Sequence, residues 1–132
     1  MVARYSYGES ALQAGCVSWF RYRYPGLRHS FFSVPNGGAR SAVTGRILKA
    51  EGSLAGVSDL ILLAAHGGWH GLCIEMKTAH GRQQDSQRAF ESACAAQGYK
   101  YAVCRSLKEF MAEVRSYLDS PRTEGGHPDA GR

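Results

Sequence analysis

Asp59, Glu75 and Lys77 are the residues whose types and spacing could do chemistry. They punctuate two apolar runs, Asp59-Leu60-Ile61-Leu62-Leu63 and Gly71-Leu72-Cys73-Ile74-Glu75-Met76-Lys77. Between the runs lies Ala64-Ala65-His66-Gly67-Gly68-Trp69-His70, whose Gly-Gly pair signals a turn. Folding the runs into an antiparallel hairpin about Gly67 sets position 59 opposite position 75. Side chains alternate faces along a strand, so Glu75 and Lys77 share a face, and Asp59 joins them there. Carboxylates facing each other across a hairpin repel. A cation relieves that repulsion, and hard oxygen donors suit Mg²⁺ or Mn²⁺. The plainer alternative is a pair of solvated strand ends, and a one-residue slip in register would separate the three groups.

The elements that must position these groups follow from the rest of the pattern. Residues 9–23 read as a helix, with Glu9 in the first turn, Leu12, Cys16, Trp19 and Arg23 at helical spacing, and Pro25 as the stop. Phe31-Phe32-Ser33-Val34 reads as a short strand and Pro35-Asn36-Gly37-Gly38 as a loop. A second helix over 40–50 carries Val43, Ile47 and Lys49. After the hairpin, a helix from about Asp85 to Gln97 leads past Gly98 to a strand over Tyr99–Cys104. Ser106-Leu107-Lys108-Glu109 fits a capping box. The helix it opens carries Leu107, Phe110, Met111, Val114 and Leu118 on one core stripe. The predicted fold class is α/β, a small central mixed sheet flanked by helices. The Glu75 strand and the 99–104 strand are joined by a helical crossover and are therefore parallel. The domain is expected over 1–119, with a disordered tail over 120–132 rich in Ser, Pro and Gly.

A chain of 132 residues with 44% hydrophobic content can bury a core as one domain. No apolar run reaches transmembrane length, and the first nine residues lack the apolar stretch of a signal peptide, so a cytoplasmic protein is expected. Cys16, Cys73, Cys94 and Cys104 show no zinc spacing and read as buried free thiols. His66 and His70 have the spacing of helical zinc ligands, but Gly67-Gly68 between them argues for loop residues. His29, His80 and His127 show no partner pattern, and Ser58 and Ser86 lack the setting of a nucleophile.

The formal charge is +5, and its distribution matters more than its size. Residues 1–50 carry seven Lys and Arg against the single acid Glu9, whereas the rest is balanced. Aromatics are interleaved with that charge in Trp19-Phe20-Arg21-Tyr22-Arg23-Tyr24. A basic face of this kind suits a polyanion. It suits a non-catalytic nucleic-acid-binding module, or a structural subunit of a replication complex, equally well. Acids facing phosphates distinguish them, because they lower the affinity of a pure binder. The aromatic run, with Phe31 and Phe32, also exceeds what one helix face can bury, which predicts a homodimer.

In order along the chain, Glu9 and Gln13, Pro35-Asn36-Gly37-Gly38 with Arg40, Gly56-Val57-Ser58-Asp59-Leu60, Glu75-Met76-Lys77, Gly81-Arg82 and Gln84-Asp85-Ser86-Gln87 resemble the PD-(D/E)XK nuclease superfamily. Within it they are most similar to the VRR-NUC (virus-type replication-repair nuclease) domain, over roughly residues 9–118. Ser58 replaces the usual proline before Asp59, and Gln84 stands where the family often has serine. The resemblance implies a PD-(D/E)XK nuclease core that hydrolyses phosphodiester bonds in branched, junction or flap DNA with Mg²⁺ or Mn²⁺. It implies that Asp59, Glu75, the Met76 backbone carbonyl and Glu9 hold the metal. Lys77 would position water or offset charge, and Gln87 would orient the water or Lys77. Asn36, Arg40, Arg46 and Lys49 become candidate DNA contacts. A bacterial or phage-encoded homodimer acting in the host cytoplasm follows from the same likeness.

Overall fold

The hairpin about Gly67 forms the centre of the sheet. A computed structural model describes residues 7–35 and 42–124. The elements run α1 (Tyr7–Arg23), a 3-10 turn at Pro25–Ser30, β1 (Phe31–Ser33), α2 (Ala42–Ala50), β2 (Leu60–Leu62), β3 (Leu72–Met76), α3 (Asp85–Ala96), β4 (Lys100–Cys104) and α4 (Leu107–Asp119). The strands lie in the order β1-β2-β3-β4. β1 and β2 are antiparallel, as are β2 and β3, while α3 carries the chain over to a parallel β4. The result is the mixed sheet flanked by helices that the alternation of patterns predicts. Leu60 pairs with Ile74 and Leu62 with Leu72, the register that sets Asp59 opposite Glu75.

The two sheet faces have different chemistry because the pleat sorts odd from even positions. Leu60, Leu62, Leu72, Ile74 and Met76 bury against Cys16 and Phe20 of α1 and Phe110, Val114 and Tyr117 of α4. Burial of such side chains is worth about 1.5–3 kcal/mol each, so this face holds the fold together. The other face carries Cys73, Glu75 and Lys77 toward α3, where Cys94 hydrogen-bonds Cys73. α3 ends at Gly98, whose φ of +84° closes the helix and whose missing Cβ leaves room for the His70 ring.

Several expectations are revised in detail. Leu107 is exposed, and Tyr117, absent from the predicted stripe, is buried instead. Ser106 Oγ accepts the Glu109 N–H, but the Glu109 carboxylate takes the Arg105 N–H, so the capping box is only half formed. α2 is mostly exposed, with Val43 and Ile47 facing solvent. Part of the expected tail is ordered. Thr123 donates its N–H to Ala65 O at 2.9 Å, and Arg122 bridges to His66, so the fold extends to 124. The remainder of the expected tail lies outside the described residues. Of the aromatic run, Phe20 is buried, and Trp19 and Tyr24 pack on the core. Phe31 stacks on Phe20, with ring centroids 4.0 Å apart. Only Tyr22 and Phe32 of that group remain exposed. All four cysteines are free and buried. Burial pushes the Cys16 thiol up to about 11 and those of Cys94 and Cys104 up to about 12, which keeps them protonated. Among the described residues, no helix is long and apolar enough to cross a membrane.

Candidate active site

Asp59 precedes β2, and its Oδ2 accepts the Met76 backbone N–H at 2.7 Å. The bond ties the end of β2 to the end of β3 and holds one carboxylate beside the next. Glu75 is only 2% exposed. Its Oε2 accepts from Gln87 Nε2 at 2.6 Å and lies 3.8 Å from Lys77 Nζ. Its Oε1 accepts from the Tyr101 hydroxyl at 3.0 Å. Lys77 is itself buried, its N–H bonded to Cys104 O at 3.0 Å. The three groups predicted to share one face therefore converge.

Gln87 reaches this cluster from the first turn of α3. Its Oε1 accepts the Gln84 N–H at 2.7 Å, which caps the helix and leaves the amide NH₂ to face Glu75. One side chain thus both starts the helix and orients the acid. Gly56 makes the approach possible. Its φ is +91°, and a Cβ there would sit 2.3 Å from Ser86 O, so only glycine lets the backbone before Asp59 lie against the start of α3. Ser58, in place of the family's proline, is fully buried and donates to Leu60 O at 3.2 Å. Arg105 Nη1 donates to Thr78 O at 2.9 Å and Gly81 O at 2.6 Å, pinning the loop between Lys77 and α3.

Two polar partners were missed in the sequence. The Tyr101 hydroxyl, besides donating to Glu75, accepts from Gln83 Nε2 at 3.3 Å, and Gln83 Nε2 also donates to Glu91 at 2.9 Å. The signal was available in the strand pattern. With β4 parallel to β3, Tyr101 pairs with Cys73 and so shares the face of Glu75.

Charge is concentrated without being neutralised. Glu75 is pushed up to about 7, first by burial and then by Asp59, against the opposing pull of Tyr101 and Lys77. Burial also raises Asp59, partly offset by the Met76 N–H and by Lys77. Glu9 is raised by burial and then by Asp59, with Lys77 opposing. These three carboxyls therefore feel one field, and the Lys77 ammonium lowers the pKa of each. Two carboxylates flanking the Met76 peptide, with no His or Cys donor, fit a small hard cation that keeps waters in its remaining positions. Among the described residues, no group of three or more His, Cys, Asp and Glu converges as a preformed metal cage. Asp59 raises the Glu9 pKa and Lys77 lowers it, so Glu9 lies within the field of the cluster.

Two further candidates, Arg46 and Lys49, lie exposed on α2. Asn36 and Arg40 lie outside the described residues. His66 Nδ1 is 2.7 Å from Ser120 O, and His70 sits against the Tyr99 ring, so both are hairpin-loop residues as expected.

The sequence profile of the VRR-NUC domain matches residues 8–108. A search of curated proteins finds no match. A solved structure described as a VRR-NUC domain protein superimposes with a TM-score of 0.79 at 21% identity, covering 92% of this chain and 97% of that one.

Proposed function

This chain belongs to the VRR-NUC family of nuclease-type domains, and from that membership and its buried carboxylate–lysine cluster we propose that it is a divalent-metal-dependent nuclease acting on branched DNA. The observation that carries the reading is Glu75, nearly inaccessible to solvent, beside Asp59 and 3.8 Å from Lys77. A structural face gains nothing from burying two acids, one of which raises the pKa of the other. Asp59 and Glu75 would hold Mg²⁺ or Mn²⁺, with the Met76 carbonyl between them. Bound there, the cation supplies Lewis-acid polarisation of a phosphodiester and of the attacking water.

The protein's own groups set the geometry of that step. Tyr101 and Gln87 each donate to one oxygen of Glu75, so the carboxylate cannot rotate away. Lys77 is positioned to donate to a phosphate oxygen and to offset charge that grows in the transition state. The fold excludes water from the Glu75 side, where every polar contact gains strength from the low dielectric. The basic excess of residues 1–50 supports a nucleic-acid substrate, and the flap or junction preference rests on the family likeness. The exposed Tyr22 supports a homodimer, and a bacterial or phage origin with action in the host cytoplasm completes the proposal.

The test is cleavage of labelled single-stranded, duplex, flap and four-way-junction DNAs with Mg²⁺, Mn²⁺ or chelator. Metal-dependent cutting of branched over linear DNA is expected. Cutting that survives in the Asp59→Asn protein, or in excess chelator, rejects the assignment. Light scattering coupled to gel filtration checks the dimer, and a mass near the 14.4 kDa of one chain rejects it.

A further inference from the structure

Resting on the nuclease proposal, we infer that the groove between α1 and β1 is a subsite for the single-stranded arm of the substrate. The groove encloses about 330 Å³. One wall is a stripe of α1 in which Ser10, Gln13, Ser18 and Arg21 recur at helical spacing. The opposite wall is Phe31, Phe32 and Ser33 of β1, the edge strand of the sheet. Among the described residues, its lining includes a guanidinium, hydroxyls and an amide, and no carboxylate. Among the described residues, the side chains of Gln13, Ser18, Arg21 and Ser33 have no hydrogen-bond or ionic partner. The backbone adds to this set. Ser30 O and Val34 N–H are turned inward to β2, so alternation turns the polar groups of Phe31 and Ser33 outward to the open edge.

The β1 wall of the groove adjoins the strand that carries Asp59. Ser33 pairs with Leu60, one residue from Asp59, and the Val34 N–H donates to Asp59 O at 2.9 Å. At the same end Ser10 follows Glu9, whose carboxyl Asp59 pushes up. From there the stripe leads away from the acids for about 16 Å to Arg21. A strand leaving the carboxylate cluster along this path finds hydroxyl and amide donors for its phosphates and a cation at the far end. Phe32, 42% exposed, offers a ring on which a base can stack. Stacked nucleotides about 3.4 Å apart would place a few of them along the stripe. The groove volume seats about one nucleotide, and its neighbours in a single strand would lie along the open stripe. An edge strand also suits a peptide or a second copy. Among the described lining residues, a guanidinium without a carboxylate, together with the closeness of β1 to Asp59, favours the nucleic-acid strand.

Binding is measured by fluorescence anisotropy in the Asp59→Asn background, so that chemistry plays no part. The probes are a single-stranded hexanucleotide, a duplex with a single-stranded tail and a blunt duplex. Ser18→Trp fills the groove, Arg21→Glu reverses its charge, and Ser18→Ala leaves it open. The first two should each weaken the hexanucleotide and tailed duplex by about tenfold, the scale of one lost stacking or phosphate contact. Blunt duplex should stay within about twofold, and Ser18→Ala should bind as its parent. Equal losses on all three probes, or none, overturn the subsite. So does a change of mass in Ser18→Trp by light scattering with strand binding intact, which makes the groove a protein interface. If the groove variants lose the tail while the unmutated protein cuts no DNA with either metal, the nuclease assignment falls and the strand site stands.

Discussion

The two ends of the β2–β3 hairpin are built on opposite principles. At the turn end, backbone and hydroxyl groups are matched by neutral partners. The Tyr117 hydroxyl donates to Ala64 O at 2.5 Å and accepts the His66 N–H at 3.3 Å. Thr123 accepts the Gly68 N–H at 3.1 Å and donates to Trp69 O at 2.7 Å, while the Gly67 N–H reaches Pro121 O at 2.7 Å. At the open end, Asp59 and Glu75 face each other with raised pKa values and one shared ammonium. One end stabilises the hairpin, and the other holds charges that the fold alone does not satisfy. Burial by itself therefore does not mark a functional site. Burial with an unbalanced charge does.

The contrast breaks most sharply under charge removal. Asp59→Asn and Glu75→Gln should each lower cleavage by a factor on the order of 10³ or more, since each removes a donor to the cation. Their melting temperatures should hold or rise, because a buried repulsion is lost. Lys77→Ala should lose turnover comparably while retaining DNA affinity. A cleavage assay paired with thermal denaturation checks all three, and a substituted protein that unfolds while cutting normally reverses the assignment of the two ends.

At the turn end the expectation is the opposite. Tyr117→Phe leaves Ala64 O and the His66 N–H short of a partner and should destabilise by about 1–3 kcal/mol, read by urea denaturation, with turnover per folded molecule unchanged. Between these in subtlety lies pH. The folded carboxyl of Glu75 titrates near 7 and the unfolded one near 4.5, so the folded state binds the extra proton. Stability of the metal-free protein should fall as pH rises from about 4.5 to about 7 and then level off. Glu75→Gln should flatten that slope, and saturating Mg²⁺ or Mn²⁺ should offset it. Melting curves across pH decide the point, and an identical slope in the Gln variant removes Glu75 as its source. The smallest effect belongs to α2, which lies at neither end. Removing Arg46 and Lys49 together should weaken DNA binding by less than about tenfold and reduce the salt slope by about one to two. An unchanged slope moves the DNA face off α2.

Some of this was legible in residues alone. The order of elements, the parallel crossover and the pairing of Asp59 with Glu75 follow from pattern periods, turn signals and the position of Gly67, all of which are local. The identity of the charged cluster follows too, because residues of matched register must share a face. What local pattern cannot carry is distance between elements. Tyr101 donates to Glu75 only because α3 returns the chain parallel to β3. Gln87 is aimed at Glu75 because Gly56 lets the backbone lie against Ser86, a close approach with no periodic signature. The first residues of the expected tail clasp the hairpin through Pro121 and Thr123, whose partners are backbone groups of the turn. Composition thus determined which groups could react and which strands would carry them. The packing of α3 and β4 around them decided how far each carboxylate was taken out of water, and desolvation is what turns a pair of acids into a site.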